Sequence, residues 1–184
     1  MKRINQKSKK IVFLFLVIPF LAFGQSSSSD ATREWRSYGG DPGGMRYSPL
    51  NQINRSNVAQ LQRAWTYHTG EIALGLGKGG SRVTGFQSTP LVVDGVLYLS
   101  TPSNRVRAVD AETGAELWQF DSQAGTSNRR FQSHRGVAYW EGPSSKGAGA
   151  EKRILFGTFD ARLIALDATT GKPCPDFGAA GQVD

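Results

Sequence analysis

The sequence predicts an all-β protein built from a repeated antiparallel sheet. Three observations carry that expectation. The stretch Ala108-Val109-Asp110-Ala111-Glu112-Thr113-Gly114-Ala115-Glu116-Leu117-Trp118 returns as Ala165-Leu166-Asp167-Ala168-Thr169-Thr170-Gly171-Lys172. Asp110 and Asp167 are 57 residues apart (167 − 110), the spacing of one supersecondary unit per pass. In each copy an alternating apolar strand runs into Asp-x-x-Thr-Gly, where Asp and Thr can bond turn amides and Gly accepts a positive φ. Short Val/Leu runs bounded by turn residues, with Asp94-Gly95 as a hairpin signal, fill the intervals.

In chain order, Met1 to Lys10 is basic and Ile11 to Phe23 is apolar, with small residues at Ala22 and Gly24. This pattern predicts a secretory signal peptide over 1–24, cleaved after Gly24. The run is short of the roughly 20 apolar residues that span a bilayer, although an uncleaved anchor is the alternative. Residues 25–33 read as a flexible Ser-rich spacer. Five of the 22 basic residues lie before residue 25, which leaves 17 against 15 acidic. The high net charge is therefore a property of the leader and gives no argument for a nucleic-acid partner. A single cysteine, Cys174, excludes an internal disulfide.

Residues 34–87 form a lead-in segment. Its first part is rich in Gly, Pro and aromatics. Asn54 or Ser56 is expected to cap a short helix reaching about Leu61, with Ile53, Val58 and Leu61 inward. Alternation predicts a strand over 62–69, and glycine density predicts a loop over 70–82. Residues 88–121 hold four strands: Leu91 to Val93, Val96 to Ser100, Arg105 to Val109 and Glu116 to Phe120. A polar loop follows, and a second unit spans 131–184, with strands expected at Gly136 to Trp140, Arg153 to Thr158 and Arg162 to Asp167. Gly142 to Glu151 reads as a Gly/Ser-rich surface loop. Pro175 stands where the first copy has Trp118, so Phe177 is expected to serve as the aromatic wedge. The chain stops in mid-repeat, which reads as the N-terminal part of a longer protein.

Ala-x-Asp-x-x-Thr-Gly-x-x-x-Trp resembles the tryptophan docking motif of quinoprotein dehydrogenases, β-propellers that hold pyrroloquinoline quinone (PQQ). The resemblance extends through Trp35-Arg36-Ser37-Tyr38-Gly39-Gly40-Asp41-Pro42-Gly43-Gly44, Arg46-Tyr47-Ser48-Pro49-Leu50, Phe86-Gln87-Ser88-Thr89-Pro90 and Arg135-Gly136-Val137-Ala138-Tyr139-Trp140, and so covers about Glu34 to Asp184. It implies a β-propeller of four-stranded antiparallel blades, about two blades of an eight-bladed ring. In such rings an N-terminal strand joins the last sheet and closes the circle, a role that falls to 62–69.

The resemblance also implies a cofactor, a flat ortho-quinone bearing three carboxylates, which needs cations, amide donors and stacking surfaces. Arg135 matches the family arginine that contacts the quinone, and a planar guanidinium suits paired bonds to carboxylate and quinone oxygens. Gln87 stands where many relatives place a cofactor-binding glutamate; it keeps an acceptor, adds donors and removes the charge. Thr158, in Phe156-Gly157-Thr158-Phe159-Asp160, matches a threonine whose hydroxyl approaches the cofactor. His134 neighbours Arg135 and is a fourth candidate. The bland readings are a surface arginine, a strand-initial glutamine, an ordinary strand threonine and a hydrogen-bonded loop histidine. The family's Ca2+ ligands, catalytic Asp and quinone-contacting Lys are expected beyond residue 184, so no catalytic or metal-binding residue is assigned here. Some relatives carry a vicinal disulfide near the quinone; Arg129-Arg130 occupies that neighbourhood, which disfavours the methanol-oxidising branch. Lys172 to Gly178 resembles the glucose-dehydrogenase branch.

Other motifs fail. Gly75-Leu76-Gly77-Lys78-Gly79-Gly80 fits G-x-G-x-x-G without the strand, helix and downstream acid that fingerprint needs. His68, His134 and Cys174 have no metal-site spacing. The expected function is the N-terminal part of a periplasmic quinoprotein oxidoreductase that oxidises a sugar or alcohol hydroxyl, inactive as this segment alone. A quinone or cytochrome would accept the electrons, and peripheral membrane association is left open. The alternative is a non-catalytic repeat scaffold that binds proteins at the cell envelope.

Overall fold

The structure, a computed structural model, describes residues 34–70, 83–124, 131–144 and 150–184. The expected leader and spacer lie outside the described residues, as does the glycine-dense loop from 71 to 82. Among the described residues there is no α-helix, and ten strands run from β1 (Val83–Phe86) to β10 (Gln182–Val183). Two antiparallel four-stranded sheets dominate. The first is a meander of β2 (Leu91–Val93), β3 (Val96–Ser100), β4 (Arg105–Asp110) and β5 (Glu116–Asp121). The second runs through β7 (Ala138–Pro143), β8 (Ala150–Gly157), β9 (Leu163–Asp167) and β10. These are the all-β, blade-like sheets expected from the repeat.

The turns form for the reasons their residues suggest. Asp94 and Gly95 both take positive φ (50° and 74°), which gives the hairpin a twist compatible with its strands. At the β4–β5 corner, Asp110 Oδ1 accepts from the Glu112 amide (3.2 Å), the Thr113 amide (2.7 Å) and the Thr113 hydroxyl (2.7 Å). Asp167 repeats this with the Thr169 amide (3.1 Å), the Thr170 amide (2.8 Å) and the Thr170 hydroxyl (2.8 Å).

The two sheets pack face to face. Val93, Tyr98, Val106 and Ala108 of the first meet Ile154, Phe156, Ile164, Leu166 and Ala168 of the second, all buried. The opposite parity of the first sheet, including Leu97, Leu99 and Val109, faces residues 63–69 across an apolar groove of about 450 Å³. That is why β4 is buried on both sides. Arg107 on this second face ties the layers together: it pairs with Glu116 at 2.9 Å and donates to the Thr69 carbonyl at 3.1 Å.

Residues 62–69 are extended, with Trp65, Tyr67 and Thr69 partly buried, and join no ladder among the described residues. Two local expectations are corrected. The expected helix is a single 3-10 turn, Val58–Gln60, with Asn57 at its N-cap position, and Ile53, Val58 and Leu61 are exposed. The Asn54 side chain instead accepts from the Ser56 amide at 2.9 Å, closing a tight local turn. The β7–β8 ladder extends through Gly142↔Glu151 and Pro143↔Ala150, so both ends of the expected surface loop belong to strands. Phe177 lies half-buried in a turn, its amide bonded to the Cys174 carbonyl at 3.0 Å, and the fourth strand comes later, at β10.

Candidate cofactor site at the blade junction

A parallel pair, β1 with β6 (Phe131–His134), bridges the two units. Neither segment has the alternation that marks a strand. Their register ends at Phe86↔His134, so the next residues, Gln87 and Arg135, hold equivalent positions in consecutive units. The Thr89 amide then donates to the Arg135 carbonyl at 3.1 Å. Gly136, at φ +141°, follows where a Cβ would come within 3.1 Å of the Thr89 carbonyl oxygen, so the close approach of the units needs glycine there.

Gln87 and Arg135 are both exposed, and no described residue bonds either side chain. A guanidinium and an amide with unspent donors can bind an anionic, oxygen-rich ligand.

His134 differs. It is 9% exposed, with Nδ1 at 2.6 Å from Ser100 Oγ and Nε2 at 2.7 Å from the Gly157 carbonyl oxygen. Its ring also lies 6.0 Å from that of Phe156 and 6.2 Å from that of Phe159. Both nitrogens are engaged by protein partners. Thr158 is partly engaged: its hydroxyl bonds Asp160 and accepts from the Arg162 amide at 3.1 Å, closing the β8–β9 turn. The structure thus brings Gln87, Arg135 and His134 together at one junction, with Thr158 one residue beyond the carbonyl that His134 holds.

Ser88 and Ser100 join this cluster and were missed by sequence reasoning. Ser88 Oγ is 3.3 Å from Ser100 Oγ and accepts from the Ser100 amide at 3.3 Å. The available signal was parity: Ser100 shares the core-facing parity of Tyr98, where a fully buried polar residue calls for a partner. Two grooves elsewhere, one beside Trp65 and one beside Arg153 and Asp176, are lined by none of the four predicted residues.

Residues 35–184 match the family described as glucose/ethanol/alcohol dehydrogenase, beta-propeller domain (PQQ). The chain belongs to this family of PQQ quinoproteins. Quinoprotein relatives include the quinate/shikimate dehydrogenase (quinone) of Acinetobacter baylyi, 37% identical over 82% of this chain and 20% of that protein. The dehydrogenase subunit of the quinone-linked alcohol dehydrogenase of Gluconacetobacter polyoxogenes is 41% identical over 79% of this chain and 17% of its own length. Among solved quinoproteins, the quinohemoprotein alcohol dehydrogenase of Pseudomonas putida superposes with a TM-score of 0.61 at 33% identity, covering 84% of this chain and 20% of that one. That of Comamonas testosteroni gives 0.55 at 34%, covering 78% and 21%. The chain spans about a fifth of the length of these quinoproteins. The donor set at the junction fits the quinone of the family: the Arg135 and Gln87 donors suit carboxylates, whereas His134 has no free nitrogen to offer.

Proposed function

We propose that this chain is the N-terminal part of a PQQ-dependent dehydrogenase that oxidises a hydroxyl of a sugar or alcohol, and that Arg135 and Gln87 help to hold the quinone. The observation that carries the reading is the β1–β6 register, which sets two exposed, unspent donor groups at equivalent positions of adjacent blades. Arg135 would pair with a carboxylate of the quinone, and Gln87 would add a neutral hydrogen bond where a charged acid would repel that carboxylate. Thr158 would offer its hydroxyl only by giving up part of its turn. The bound quinone supplies a two-electron hydride acceptor. Calcium, with ligands from later parts of the protein, completes the proposed set.

Residues 1–24 are proposed as a secretory leader, which would deliver the enzyme to the periplasm, where a quinone or cytochrome takes the electrons. N-terminal sequencing of the exported protein should begin at Gln25.

The decisive experiment titrates PQQ into the full-length protein and its Arg135→Ala and Arg135→Lys variants. Loss of a charge-assisted pair should weaken binding by about tenfold or more in Arg135→Ala, with partial recovery in Arg135→Lys. Wild-type affinity in both variants would remove Arg135 from the site. A full-length protein that takes up no PQQ and reduces no dye with aldoses or primary alcohols would favour the scaffold alternative.

A further inference from the structure

We propose that His134, with Ser100 and Ser88, is a positioning network that sets the backbone from which Gln87, Arg135 and Thr158 reach the quinone. The inference rests on the preceding reading of Arg135.

The proton directions follow from the partners. Nε2 faces a carbonyl oxygen, which can only accept, so Nε2 carries the hydrogen. In that tautomer Nδ1 is the acceptor, and the Ser100 hydroxyl donates to it at 2.6 Å. With that proton committed, the contact between the two serine oxygens is completed by the Ser88 hydroxyl donating to Ser100 Oγ, while Ser88 Oγ accepts the Ser100 amide. The chain Ser88–Ser100–His134–Gly157 is satisfied at each link.

Its placement argues for function. Ser88 follows Gln87, His134 precedes Arg135, and Gly157 precedes Thr158. The network joins the ends of β3, β6 and β8, and so both sheets. Each candidate donor is one peptide unit from an anchored atom. A site of this kind needs its supporting atoms held to within about half an ångström, and a small misplacement is costly.

The test uses PQQ titration of the full-length protein, read as a dissociation constant. Ser100→Ala removes one fully buried hydroxyl and should weaken PQQ binding about tenfold, the order seen when the supporting partners of metal ligands are removed. His134→Leu should cost more, and His134→Gln, which keeps an amide donor and acceptor, should recover part of the loss. If His134→Leu does not fold, Ser100→Ala carries the test, with its fold checked by circular dichroism. In an Arg135→Ala background, Ser100→Ala should cost less than it does in the wild type, because coupled residues are non-additive. Equal losses in both backgrounds, or no loss in Ser100→Ala while Arg135→Ala binds weakly, would overturn the positioning role alone. Wild-type affinity in Arg135→Ala would overturn the reading of Arg135 and the network proposal with it.

Discussion

Trp118 Nε1 donates to the Ala168 carbonyl at 2.9 Å, and the Trp118 ring covers Gly171 so closely that a Cβ there would lie 2.5 Å from it. Trp65 repeats the arrangement one unit earlier. Its Nε1 donates to the Ala111 carbonyl at 3.2 Å, and its ring covers Gly114, where a Cβ would lie 2.6 Å away. Ala111 and Ala168, like Gly114 and Gly171, are the same 57 residues apart as Asp110 and Asp167. Each Asp-x-x-Thr-Gly corner is therefore a receptor for the indole of the preceding layer, and the bare glycine is the receptor surface.

The indole bond is separable from the ring contact. Trp118→Phe in the full-length protein keeps most of the aromatic surface, including the contact with Tyr98 at 6.0 Å between ring centroids, and loses the donor. The expected cost is about 1 kcal/mol, because Tyr98 still donates to the Ala168 carbonyl at 3.2 Å. Denaturant unfolding checks this; a loss as large as that of Trp118→Ala would mean the hydrogen bond dominates the docking.

The glycines offer an internal control. Gly95, Gly114 and Gly171 all have φ between 69° and 75°. Only Gly95 has nothing within 4 Å of an added Cβ. Gly95→Ala should thus show the backbone penalty alone, about 1 kcal/mol, while Gly114→Ala and Gly171→Ala add an overpacking cost of about 1–3 kcal/mol. Thermal unfolding of the three variants side by side gives the ranking, and equal losses would contradict the receptor reading.

Much of this was legible in the sequence. Asp110, Thr113 and Gly114 announce the corner, Asp94-Gly95 announces the hairpin, and Trp118 stands at the spacing of a wedge. Trp65 was legible only as a residue of an alternating segment, because its receptor lies 46 positions on. The β1–β6 pair was invisible for a different reason: both segments are short and irregular in pattern, and their pairing depends on two units already standing side by side. His134 was read as a candidate ligand because adjacency to Arg135 is visible in one dimension, whereas Ser100 and the Gly157 carbonyl are brought to it only by folding. Gly142 and Pro143 disguised the end of β7, since composition suggests a loop there and the backbone ladder overrides it.

The Asp110 corner has an acid signature. Hydrogen bonds from the Thr113 hydroxyl and then the Thr113 amide hold the Asp110 carboxyl below the usual carboxylate range, against an opposing effect of desolvation. A folded-state pKa below the unfolded one means the contribution to stability is full above the ordinary carboxylate range and fades as pH falls through the folded value. Asp110→Asn should flatten this part of the acid limb when unfolding midpoints are compared from pH 6 downward. An unchanged acid limb would show that the corner is insensitive to the charge.

Tyr98 predicts the opposite limb. Burial, with the Asp94 and Asp167 carboxylates as secondary causes, pushes its phenol up to about 12. The folded state therefore keeps the proton that the unfolded chain releases near 10. Its contribution is complete below about pH 10 and is lost as pH rises towards 12. Tyr98→Phe should lose one hydrogen bond at neutral pH yet decline less between pH 10 and 11.5; parallel alkaline profiles for the two proteins would refute the assignment.

The one-way order of indole and corner bears on synthesis. A ribosome that has released only the first sheet has made Trp118 but not the glycine that will cover it, and about fifty further residues must emerge before that surface is shielded. Until then the nascent chain carries an uncovered aromatic flank, so each newly completed layer is a transient target for chaperones and for misassembly with neighbouring polypeptides.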